Sequence, residues 1–78
     1  MMSYDECKTL AEERAKERTL EINRAYKLGF GFVFDNKDIE SVGTFPLVVD
    51  RKSGELSGLW AYLEKNKLSM DDMKEIKY

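Results

Sequence analysis

Two short runs of alternating apolar residues constrain this chain more than any other feature. In Phe30-Gly31-Phe32-Val33-Phe34 the aromatics occupy every second position, and Phe45, Leu47 and Val49 do the same with Val48 opposite. Successive side chains of a strand point to opposite faces, so each run predicts a strand with an apolar face that another layer has to cover. Gly31 leaves room on the reverse face for a close neighbour. Pro46 has no amide to donate and belongs near the start or edge of its strand. Asp50-Arg51-Lys52-Ser53-Gly54 then predicts a turn with a left-handed glycine, returning the chain through Glu55, Leu56 and Ser57 as a hairpin.

Ser3 and Glu6 have the spacing of a capping box, which marks a helix start. Tyr4, Cys7, Leu10, Ala11 and Ala15 recur at three or four residues and carry an amphipathic helix to about Arg18. The small Ala11 and Ala15 suit close approach to a sheet. Thr19 to Tyr26 reads either way: β-branched Thr19 and Ile22 and the turn at Leu28-Gly29 favour a strand, while Ala15, Ile22 and Tyr26 would continue the helix. Beyond Gly58, Leu59, Trp60 and Leu63 share a helical face that stops near Asn66. Ser69 with Asp72 resembles a second cap ahead of Met70, Met73 and Ile76. The expected fold is a single α+β domain over residues 1–78. An N-terminal helix packs on a small antiparallel sheet of three to four strands, and one or two short helices close the chain.

Composition narrows the chemistry. Thirteen Lys and Arg against fifteen Asp and Glu give a net charge of −2, and Arg14, Lys16 and Arg18 are interleaved with Glu12, Glu13, Glu17 and Glu21. Nucleic-acid binding by counterion release needs a concentrated basic surface, so no nucleic-acid partner is expected. With no histidine and one cysteine, most zinc sites, disulfide frameworks, histidine bases and Cys/His dyads are excluded, and no cofactor or metal is expected. Cys7 reads as a small apolar residue on a helix face. Asp71 and Asp72 are adjacent and diverge on a helix, so they cannot share a proton, and Gly29 and Gly31 precede a strand where a phosphate loop would need a helix. The first residues lack the apolar core of a signal peptide, and no apolar run approaches a membrane span. A cytoplasmic protein without a membrane partner is the expectation.

What remains are residues suited to contact another protein. Trp60 reads as core beside Leu59 and Leu63, with an interface anchor as its alternative, and Tyr62, two positions on, should then be exposed. Asp35, Asp38 and Glu40 lie in a polar connection. Their ordinary reading is a solvated loop; their functional one is an electrostatic handle for a basic partner.

The run from Gly29 to Asp35, followed by Gly43-Thr44-Phe45-Pro46-Leu47-Val48-Val49-Asp50-Arg51-Lys52-Ser53-Gly54-Glu55-Leu56, resembles the YrhB family of small bacterial proteins. That family is also grouped with the immunity proteins of polymorphic toxin systems. The resemblance covers residues 29–56 and, more loosely, the first helix and the region from Leu59 to Leu63. It implies a helix on an antiparallel sheet and a protein that neutralises a toxin by stoichiometric binding, without catalysis. A general interaction or inhibitory module of mobile-element origin, with a non-toxin partner, is the alternative.

Overall fold

The computed structural model describes residues 1–38 and 45–78. Their order is α1 (Tyr4–Glu17), β1 (Arg24–Leu28), β2 (Gly31–Asp35), β3 (Leu47–Asp50), β4 (Leu56–Gly58), α2 (Leu59–Asn66), a 3-10 turn (Met70–Asp72) and β5 (Lys74–Ile76). The strands form one antiparallel sheet in the order β4-β3-β2-β1-β5. The expected α+β architecture with an N-terminal helix on the sheet is present, and the sheet has five strands rather than three or four.

The two alternating runs make the centre of the sheet. Register places Leu47 against Phe34 and Val49 against Phe32 on one face, and Val48 against Val33 on the other. On the first face Phe32, Phe34 and Val49 pack with Cys7 and Ala11 of α1, and Leu47 packs with Ala15 and Phe45. The small residues of α1 let its backbone come close, as their size suggests, and Tyr4 sets its ring edge-on to Phe32 at 5.1 Å. On the second face Leu28, Val33 and Val48 pack with Leu59, Tyr62 and Leu63 of α2. The sheet is thus covered on both sides, which is why β2 and most of β3 are buried at successive positions.

Phe30 departs from the expected aromatic face. It sits in the turn between β1 and β2, where Gly29 takes a positive φ of 56°, and is 53% exposed beneath the Lys52 ammonium. Between Thr19 and Tyr26 the strand begins only at Arg24. The first helix keeps its expected cap, with Ser3 and Glu6 exchanging side-chain to backbone bonds, and stops at Glu17. The Thr19 amide donates to the Lys16 carbonyl and the Leu20 amide to the Ala15 carbonyl, closing the helix end with Thr19 in the left-handed region at φ 57°.

The last strand replaces an expected helix. A capping box of Ser69 and Asp72 is present, but it closes a single turn. Met73 packs on the α2 face and Ile76 on the α1 face, so no one helical face could hold both. Lys74–Ile76 instead pairs with β1. The first turn of α1 is tied to the end of this strand: the Tyr4 hydroxyl donates to the Lys77 carbonyl at 3.4 Å.

Because a β-branched residue is costly in the left-handed region, Thr19→Gly is expected to stabilise the domain by about 0.5–1 kcal/mol, read from urea unfolding midpoints.

Candidate functional site

At one end of the sheet, β2 finishes at Asp35, β3 begins beside Pro46, and β4 hands over to α2, whose Leu59 amide donates to the Pro46 carbonyl at 3.0 Å. The residues expected to contact a partner can be placed against this end. Trp60, in the first turn of α2, is 58% exposed, which corrects its core reading in favour of the surface one. Tyr62 is 5% exposed, which corrects the expectation that it faces solvent.

Helical geometry explains the exchange. Leu59 and Leu63 fix the centre of the buried stripe, and Trp60 and Tyr62 each lie about 80° from it, on opposite sides. Periodicity is indifferent between them. The sheet is not, because Gly31 opens a gap on the α2 side that the Tyr62 ring fills. A Cβ at position 31 would come within 3.0 Å of the Tyr62 hydroxyl and 3.1 Å of the Val49 carbonyl. Burial, reinforced by the Asp50 carboxylate, pushes the Tyr62 phenol above its ordinary range, with the Phe30 backbone opposing.

The acidic residues divide. Asp35 is the last residue of β2 and 8% exposed; one of its oxygens accepts from Arg24 Nε at 3.1 Å and Nη2 at 2.8 Å. This cross-strand pair raises the Arg24 guanidinium further, chiefly through the hydrogen bonds themselves. Asp35 is therefore committed internally and is no handle for a partner. Asp38 is exposed and within 3.5 Å of the Asn23 amide. Glu40 lies outside the described residues. The structure thus leaves Trp60 and Asp38 as exposed residues at the same sheet end.

Beside Asp38 the decisive polar residue is Asn36, which sequence reasoning passed over. Its amide oxygen accepts from the Asp38 backbone at 2.8 Å and from Asn23 Nδ2 at 3.2 Å, while its nitrogen donates to the Glu21 carbonyl at 3.1 Å. The Asn23 side-chain oxygen in turn accepts from the Lys37 amide. The network ties the segment after α1 to the end of β2. Its one sequence signal is an asparagine directly after a strand, where its side chain can mimic a backbone turn.

A groove of about 450 Å³ runs beside the second half of α1, lined by Glu12, Lys16, Thr19, Leu20, Ile22 and Tyr78. Tyr78 reaches it from the far end of the chain, hydrogen-bonded through its hydroxyl to the Glu12 carboxylate and with Lys8 over its ring at 4.2 Å. Cys7 is fully buried, and burial pushes its thiol up, so it stays protonated and out of reach of reagents. Among the described residues no helix is long and apolar enough to cross a membrane.

Filling the gap over β2 should be costly: Gly31→Ala is expected to destabilise by about 1–3 kcal/mol in urea unfolding, and by less in a Tyr62→Phe background, where the closest contact is gone. A second outcome concerns alkali. Tyr78 is raised well above the usual tyrosine range by burial and by its bond to Glu12, and Tyr4 is raised mainly by burial. A group whose folded pKa exceeds its unfolded value stabilises fully below the unfolded pKa, about 10 for tyrosine, and loses this as pH rises toward the folded one. Unfolding midpoints should accordingly fall above about pH 10, and Tyr78→Phe should flatten that fall.

Compared with protein-family models, curated proteins and solved structures, the chain matches none.

Proposed function

We propose that this chain is a small protein-binding domain that acts by stoichiometric association, with its principal contact at Trp60. The observation that carries the reading is a solvent-facing indole on a helix whose orientation is fixed by Leu59, Tyr62 and Leu63 underneath. Tryptophan contributes large contact area at little conformational cost, and a rigid platform lowers that cost further. Asp38 at the same end supplies a charge that can orient a partner. The acidic contribution is narrower than the sequence suggests, since Asp35 is neutralised by Arg24.

The specific form we propose is an immunity-type protein of a bacterial cytoplasm that occludes a toxin's working surface and performs no chemistry itself. It is supported by the resemblance of residues 29–56 to the YrhB family and by a composition without histidine and with its single thiol buried. A co-encoded toxin mixed with the protein should form a stable complex and lose its toxicity. Recovery of a different protein in its place would favour a general interaction or inhibitory module. Trp60→Ala is expected to shift the folding midpoint by less than about 0.5 kcal/mol while weakening the complex by about 2 kcal/mol or more, measured by calorimetry. A complex indifferent to this substitution would remove Trp60 from the interface.

A further inference from the structure

The face of the sheet beneath α1 contains two cross-strand rows with contrasting chemistry. One runs Leu47, Phe34, Ala25, Ile76 and is apolar throughout. The next runs Val49, Phe32, Lys27, Lys74. It begins in the core and ends in two lysines placed directly opposite one another on neighbouring strands. Like charges in this position repel, and proteins ordinarily place opposite charges there, as this one does on the other face with Arg24 and Asp35. No carboxylate relieves the lysine pair: among the described residues neither Lys27 nor Lys74 forms an ion pair, and Glu75 alternates to the opposite face.

The surroundings keep this pair accessible. Helix α1 packs mainly over β2 and β3, Lys74 lies on the edge strand β5, and Lys27 and Lys74 are both exposed. Tyr4 sets its ring edge-on to Phe32, the neighbour of Lys27 in the row. Lys8 adds a third ammonium on this side of α1, over the Tyr78 ring. Glu12, the carboxylate of α1 that faces the same tyrosine, is engaged by the Tyr78 hydroxyl.

We infer that Lys27 and Lys74 form a docking site for an acidic segment of a partner protein, whose carboxylates supply the negative charge this cross-strand pair lacks. The inference rests on the protein-binding reading, and it adds a second surface on the face of the sheet opposite α2. A repulsion retained in the isolated domain becomes a source of selectivity once a row of carboxylates spans both ammonium groups.

The test pairs stability with binding. Lys74→Glu converts the repulsive pair into an attractive one and is expected to raise Tm by about 2–5 °C. In an amide-resolved NMR titration, a hexaglutamate peptide should give saturable shifts centred on Lys27 and Lys74, bind at least tenfold more weakly to the Lys74→Glu protein, and weaken as salt is added. Lys27→Gln should show the same two effects at smaller size. An unchanged or lowered Tm in Lys74→Glu, shifts centred elsewhere, or inorganic phosphate binding as tightly as the peptide would overturn the assignment. Trp60→Ala should leave peptide binding intact, so a failure at Trp60 and a failure at the lysines are read separately.

Discussion

Everything in this fold depends on covering one five-residue strand from both sides. β2 carries Phe32 and Phe34 to one face and Gly31 and Val33 to the other, and the whole strand is buried. Each large side chain removed from water stabilises by roughly 1.5–3 kcal/mol, but only if a layer lies close enough to exclude water. On the aromatic side α1 does this with small residues that let Cys7, Ala11 and Ala15 approach the rings. On the other side the glycine removes the obstacle instead, and the bulk comes from Tyr62 in α2. The two helices solve one packing problem in complementary ways, small residues above large ones and a large residue above a small one.

That complementarity explains where sequence reasoning reached and where it stopped. Phe32 with Phe34, and Leu47 with Val49 against Val48, were legible because a two-residue period admits one division into faces. The capping box of Ser3 and Glu6 was legible because its partners lie within one turn. Trp60 and Tyr62 were not separable by periodicity, since they flank the same stripe symmetrically; the choice lay in Gly31, almost thirty residues away in the sequence. Phe30 looked like a third member of the aromatic face, yet Gly29 bends the chain just before it. β5 escaped because Met70, Met73 and Ile76 keep a helical spacing that holds for only one turn before the backbone extends to meet β1.

The polar residues sort by the same logic of position. Asp35 and Arg24 meet because register sets them opposite each other at the sheet end, and Asn36 is sequestered there by bonds to Asn23 and Glu21. These groups hold the connection after α1 in place and are spent on the fold. Charges available to a partner are those that register leaves uncompensated. Recognition would then act from two faces, with an indole on the α2 layer and a cationic pair at the β5 edge of the opposite face.

The bond from Tyr4 to the Lys77 carbonyl has an architectural consequence. It joins positions 73 residues apart, so the edge strand cannot peel from the sheet without also releasing the first turn of α1, and fraying at one extremity is coupled to the other.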